Sequence, residues 1–337
     1  MIIQLKPQTT AHQVNDLKGF LGNHKYTAKQ VDTQKGSYLI AIGKADIDIR
    51  AIGIMEGVSD IHVVSDNYKL VSGKWKVDPT EIDLGDGITI KQGDLALMAG
   101  PCSIEGKDQI EDTVQHLKNT GISIMRGGVY KPRSSPYSFR GMGIEGLRLW
   151  YKIARKNGIK IISEVMQVSQ IEEMYDYIDI FQVGARNTQN YNLLDELGKV
   201  DKPVMIKRGI SGTIDELLYS AEYVFSGGNE KLLLCERGIR TYEKASRNTF
   251  DINAIPILKE KSHLPVIADP SHGIGIRDHV PAIALASVLA GADGIIYEVH
   301  KDPRKAFSDG QQTLNFDQSI DLASNLNKVM KMREEML

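Results

Sequence analysis

Eight short apolar runs between residues 95 and 300 constrain this chain most: LALMAGPC, ISIMRGG, KIISEV, IFQVGAR, PVMIKRG, KLLLCERG, PVIADPSH and GIIYEVH. At or near the end of each stands a charged or metal-binding residue, in order Cys102, Arg126, Glu164, Arg186, Lys207, Arg237, His272 and Glu298. Segments of helical spacing follow, among them QIEDTVQHLKNTG, IEGLRLWYKIARKNG and TIDELLYSAEYVFSGG. Near-continuous apolar runs suit strands covered on both faces. Their alternation with helices predicts an α/β fold, a (β/α)₈ barrel, whose chemistry sits at the carboxyl ends of the strands. That is where these residues fall.

The chain has 337 residues, more than the roughly 250 one barrel typically needs. The surplus lies in front, where the rhythm changes. MIIQLK reads as a strand and TAHQVNDLKGFLGNHK as a helix opened by a threonine cap. YTAKQVDTQ and YLIAIG read as strands, ADIDIRAIGIMEGV as a second helix, and DIHVVSD as a closing strand. The order β-α-β-β-α-β predicts a small α+β, ferredoxin-like unit. We expect this unit over residues 1–70, a linker and hairpin over 71–94, and the barrel over 95–337. The hairpin, IDLGDGITIKQGD, carries Asp-Gly and Gly-Asp turn signals and is expected to plug the amino-terminal end of the barrel. HVPAIALASVLAGA is apolar almost all round, so it is expected to be buried or at a subunit contact.

A net charge of −2 gives no global field toward nucleic acid or membrane. No apolar run approaches the roughly 18 residues of a span, and MIIQLKPQTT lacks the regions of a signal peptide. Cys102 and Cys235 are the only cysteines, which fits a reducing cytosol. We expect a cytoplasmic protein with no nucleic-acid or membrane partner.

Strand side chains alternate faces. Ile122, Ile124 and Arg126 share one face, as do Met205 and Lys207, and Leu233, Cys235 and Arg237. Arg186 is reached the same way through Gln182 and Gly184. Each cation thus ends a series that can fill the barrel interior. Ordinary ion pairs at strand ends would explain any one of them. Four converging cations favour a small polyanion, because each ion taken from water costs several kcal/mol unless it is paired. Arginine gives bidentate contacts to phosphate and carboxylate, lysine a point charge. The loop YKPRSSPYSFRG adds Lys131, Arg133, Ser134 and Ser135, a second anion pocket. Cys102, His272, Glu298 and Asp309 form a mixed S, N, O, O set suited to Mn²⁺, Fe²⁺, Co²⁺ or Zn²⁺. Their spacing alone is weak support, but closure of the barrel brings its first, seventh and eighth strands together.

Taken together, AGPCS (99–103), KPRS (131–134), GAR (184–186), KRG (207–209), CERG (235–238), DPSH (269–272) and EVH (298–300) closely resemble the 3-deoxy-D-arabino-heptulosonate 7-phosphate synthases, the first enzymes of the shikimate pathway. The likeness spans the barrel and points to the subtype with a short barrel behind a ferredoxin-like, ACT-like regulatory domain. It implies condensation of phosphoenolpyruvate with D-erythrose 4-phosphate and release of phosphate. By matching position, Arg126, Gly184, Ala185, Arg186, Lys207 and Arg237 would hold phosphoenolpyruvate. Lys131, Pro132, Arg133 and Ser134 would hold erythrose 4-phosphate. Cys102, His272, Glu298 and Asp309 would hold one divalent ion, Mn²⁺ first among those named. Lys131, Glu164 and His272 are the catalytic candidates: Lys131 to protonate the new hydroxyl, Glu164 to offset positive charge or handle a proton. The resemblance also implies a homotetramer, and the front domain suggests feedback by tyrosine or phenylalanine. One departure is visible: after DPSH the chain reads GIGIRD, where relatives more often carry a serine or alanine and a second basic residue.

Two rivals remain. The 3-deoxy-D-manno-octulosonate 8-phosphate synthases share the barrel and the phosphoenolpyruvate chemistry, but their sugar loop normally carries a KANRS-like motif and they lack the front domain. A catalytically dead, amino-acid-sensing barrel is the other, opposed by the complete motif set.

Overall fold

The computed structural model describes every residue except Val77, Arg133, Ser134, Pro136 and Leu337. Its front unit runs β1 (Ile2–Leu5), α1 (Ala11–Asn23), β2 (Thr27–Asp32), β3 (Ser37–Ile42), α2 (Ile49–Gly53) and β4 (Val58–His62). These strands form an antiparallel sheet of order β2-β3-β1-β4. The Thr10 side chain caps α1, and Gln13 returns a hydrogen bond to the Thr10 backbone, a reciprocal capping box. Val14, Leu17 and Leu21 of α1 pack on Ile3, Leu39 and Ala41 of the sheet, so this unit has its own core. The second helix is much shorter than the sequence suggests. Asp48 caps it, and Gly57, at φ +87, turns the chain into β4.

Behind it come a hairpin, β5 (Glu81–Asp83) and β6 (Thr89–Lys91), and then the eight strands β7 (Ala96–Gly100), β8 (Ile124–Gly127), β9 (Lys160–Val165), β10 (Ile180–Val183), β11 (Val204–Lys207), β12 (Leu232–Glu236), β13 (Val266–Ala268) and β14 (Gly294–Glu298). All eight are parallel and close into one barrel, β14 pairing with β7 so that Glu298 stands opposite Gly100. Around them lie α3 (Lys107–Thr120), α4 (Gly143–Lys156), α5 (Ser169–Met174), α6 (Tyr191–Leu197), α7 (Ile214–Ser226), α8 (Ala254–Lys261), α9 (Pro270–Ile274), α10 (Val280–Leu289) and α11 (Phe316–Met336).

The alternation of each strand sorts its residues into two cores. Met98, Ile124, Ile162, Ile180, Met205, Leu233, Cys235, Ile267 and Ile296 fill the barrel, together with Ile82 and Ile90 of the hairpin. The hairpin therefore closes the amino-terminal end, and the polar strand ends are left for the opposite mouth. The other face of each strand packs under the helices, where Ile206, Leu232 and Leu234 meet Leu217, Leu218 and Ile255. Helix α10 is less covered than its composition suggests: Val280, Ala284, Ser287 and Val288 are buried, but Leu289 is half exposed. No helix among the described residues is long and apolar enough to cross a membrane.

The front unit is latched to the barrel. Glu230 is buried and accepts hydrogen bonds from Thr33 Oγ1 (2.8 Å) and the Lys35 amide (2.9 Å). The Glu222 carboxylate accepts from the amides of Leu70 and Val71, both at 3.0 Å. His263 pairs with Leu70 O (2.8 Å) on one ring nitrogen and Thr80 Oγ1 (2.7 Å) on the other.

Candidate active site

The carboxyl ends of the strands enclose a cavity of about 190 Å³. Among the described residues seven cationic side chains line it, Arg126, Lys131, Arg186, Lys207, Arg237, Arg240 and Arg247, against two carboxylates, Glu164 and Asp309. Backbone alternation sets this up: Met205 and then Lys207, and Cys235 and then Arg237, continue the interior series up to the mouth. The Gly184 position explains itself sterically, since a Cβ there would collide with the Glu164 carboxylate on the neighbouring strand.

The cations differ in how they are matched. Arg126 is buried and donates from Nη1 to Glu298 Oε1 and to Pro101 O, both at 2.9 Å. Lys207 forms a buried ion pair with Asp269. For these two the ion-pair reading holds within the chain itself. Arg237 and Arg186 have no acidic partner within salt-bridge distance among the described residues. Arg186 is exposed at the rim. Arg237 is only 6% exposed, and burial pulls its guanidinium below the ordinary value, Asp269 opposing. A buried cation left this way calls for an anionic ligand.

Beside the cations, ligand atoms of Cys102, Glu298 and Asp309 lie within 4.8 Å of one another. His272 stands outside that trio but reaches it, its Nε2 lying 3.5 Å from Glu298 Oε1. Its Nδ1 is 2.8 Å from Asp269 Oδ2, so the second nitrogen is directed at the cluster, an orientation typical of metal-binding histidines. Burial opposes ionisation of Asp269, yet His272 and Lys207 hold its carboxyl well below the usual range. Burial likewise disfavours the Asp309 anion, but His272, Arg247 and the Cys102 thiol bring it to about 2. The thiol donates to Asp309 Oδ2 at 3.1 Å, while burial and the nearby Glu298 charge push it up to about 12. One sulfur, one imidazole and two carboxylates in this proximity fit a borderline divalent ion.

Lys131 donates to Cys102 O (2.9 Å) and to Cys102 Sγ (3.1 Å), which puts it between the cation pocket and the donor cluster. Pro132 lines the same cavity. Arg133 and Ser134 lie outside the described residues. Glu164, Gly184 and Ala185 line the wall.

Sequence reasoning missed four contributors. Asp269 shares the Ile267 face of β13, and the period-two rule could have placed it. Gln312 links Glu298 Oε2 (2.7 Å) to Arg247 Nη1 (2.6 Å). Arg240 and Arg247 come from the long segment between β12 and α8, where no periodicity gives direction.

A family model described as the DAHP synthetase I family matches residues 74–335. The chain is 41% identical over 333 residues to the phospho-2-dehydro-3-deoxyheptonate aldolase of Thermotoga maritima, across 98% of this chain and 97% of that one. A crystal structure of that Thermotoga maritima aldolase, also termed DAHP synthase, superposes with a TM-score of 0.79 at 40% identity, over 98% of this chain and 97% of the other. A truncated form of the Thermotoga maritima 3-deoxy-D-arabino-heptulosonate 7-phosphate synthase covers 79% of this chain, with 97% of its own length aligned, a TM-score of 0.74 and 43% identity. A 2-dehydro-3-deoxyphosphooctonate aldolase of Syntrophobacter fumaroxidans is 32% identical over 258 residues, 71% of this chain and 88% of that one.

Proposed function

Because the chain belongs to the DAHP synthetase I family, we propose that it condenses phosphoenolpyruvate with D-erythrose 4-phosphate and water, giving 3-deoxy-D-arabino-heptulosonate 7-phosphate and phosphate. The observation that carries this reading is the pocket in which buried Arg237, without a salt-bridged carboxylate among the described residues, stands beside the Cys102–Glu298–Asp309 cluster. Arg126, Arg186, Lys207 and Arg237 hold phosphoenolpyruvate, the Gly184-Ala185 backbone assisting. Lys131, Pro132, Arg133 and Ser134 hold the aldose phosphate. Cys102, His272, Glu298 and Asp309 hold one divalent ion, Mn²⁺ before Fe²⁺, Co²⁺ or Zn²⁺, which when bound supplies Lewis-acid polarisation of the aldehyde.

Carbon 3 of phosphoenolpyruvate attacks the aldehyde carbon, and water adds at carbon 2 before phosphate leaves. The cationic wall fixes the reacting ends against each other, so the encounter is nearly unimolecular. Lys131 delivers a proton to the new hydroxyl, directly or through water, and Glu164, which lines the same cavity, offsets positive character at carbon 2 or handles a proton. His272 orients within the site through Asp269.

Turnover of erythrose 4-phosphate against arabinose 5-phosphate tests the assignment. Faster use of arabinose 5-phosphate would replace it with the octulosonate reading. The βαββαβ order of the front unit supports feedback inhibition by tyrosine or phenylalanine in a cytoplasmic homotetramer, through a population shift that brings front domains over a barrel mouth. Deleting residues 1–65 should leave catalysis and abolish inhibition; inhibition that survives the deletion refutes the regulatory role.

A further inference from the structure

We propose that Arg208 is a positioning residue for the anion pocket, acting from behind the sheet through Glu236 and Asp251; the inference rests on the phosphoenolpyruvate reading above. Arg208 and Glu236 belong to the quoted KRG and CERG motifs, yet neither lines the cavity. By alternation they continue the outward series of Ile206 and of Leu232 and Leu234, under the helix layer. Both are buried, Arg208 at 5% and Glu236 at 0% exposure. A charge pair there is a poor way to gain stability, since well-packed apolar residues do as well or better. Its value has to be geometric.

The contacts show what geometry is held. Arg208 Nη1 donates to Glu236 Oε2 (2.9 Å) and to Asp251 Oδ2 (2.8 Å), and Nε donates to Gly212 O (2.8 Å). One guanidinium thus ties the far end of the loop after β11 to both ends of the segment between β12 and α8. Glu236 Oε1 then accepts the Gly238 amide at 2.6 Å, directly after Arg237. The two loops also bond each other, Arg240 N to Ile210 O at 2.6 Å. Ile210, Arg237 and Arg240 face the cavity. Among the described residues Arg237 has no carboxylate within salt-bridge distance; its Nη1 donates to Gly238 O at 3.4 Å, the residue whose amide Glu236 holds, so the fork of Arg208 sets where that cation stands. A lysine offers a point charge and cannot make these divergent planar bonds.

Calorimetric titration of phosphoenolpyruvate into the full chain tests this, with thermal melts and steady-state kinetics alongside. The Arg208→Met/Glu236→Leu double variant should melt near the wild type and bind phosphoenolpyruvate at least tenfold more weakly. Its KM for erythrose 4-phosphate should move less than twofold. Asp251→Asn, at a partly exposed position that keeps its volume, should shift phosphoenolpyruvate binding in the same direction by less, and it decides the matter if the double variant does not fold. Unchanged phosphoenolpyruvate affinity in the folded variants overturns the inference, as does a parallel rise of both KM values with a lowered melting point. Absence of binding by the wild-type chain would instead overturn the functional reading beneath it.

Discussion

Arg126 and Arg237 are both buried guanidinium groups, but among the described residues only Arg126 has a carboxylate, Glu298, within salt-bridge distance. Removing the charge at Arg237 should therefore trade function against stability. Arg237→Met is expected to weaken phosphoenolpyruvate binding by about 2 kcal/mol or more, the scale of a lost charge-assisted contact, while the urea midpoint holds or rises. A fall in that midpoint, with affinity intact, would refute the unmatched-cation account. At Cys102 the expectation is different. Cys102→Ala should lose bound Mn²⁺, read as metal per chain after desalting, and lose metal-dependent turnover, with unfolding little changed. Full activity of the variant in chelator would remove Cys102 from the ligand set. Residue identity was legible where it ends a periodic series, as with Arg126, Lys207 and Arg237. It was not legible for Gln312 or Arg247, whose partners are chosen by loops that fold back from elsewhere.

At the scale of elements, the hairpin β5–β6 is the test piece. Ile82 and Ile90 reach into the interior core with Met98, Ile124 and Leu233, so the hairpin is part of the barrel's filling. Ile90→Ala should cost about 2–5 kcal/mol through the cavity it leaves, measured by urea unfolding, with KM values unmoved because the chemistry lies at the other end. The barrel strands were easy to find because burial on both faces writes an unbroken apolar run. Helix α2 was overestimated because ADIDIRAIGIMEGV has helical spacing along its length, while an Asp48 cap and the Gly57 turn confine the helix to five residues.

Across the whole molecule, His263 marks the seam between connector and barrel. Burial, with Lys76 and Lys35 nearby, lowers it from an ordinary 6.5 to about 3. Since it is neutral when folded and protonates readily when unfolded, its contribution is complete above pH 6.5 and declines as pH falls toward 3. Between pH 7 and 5, before most carboxylates titrate, it should remove about 2 kcal/mol of stability. Urea midpoints across that window check this, and His263→Gln should flatten the slope; an equally steep slope in the variant would assign it elsewhere. Local covalent order was enough to specify the strand–helix alternation, the barrel and the inward series of cations, since each follows from the two-residue period of a strand and the burial of its faces. Which cations find carboxylates, how Gln312 spans Glu298 and Arg247, and how Glu230 receives the front unit were decided only in three dimensions, because each depends on groups from separate elements, from 14 to 197 residues apart, meeting at a distance that no spacing in the chain encodes.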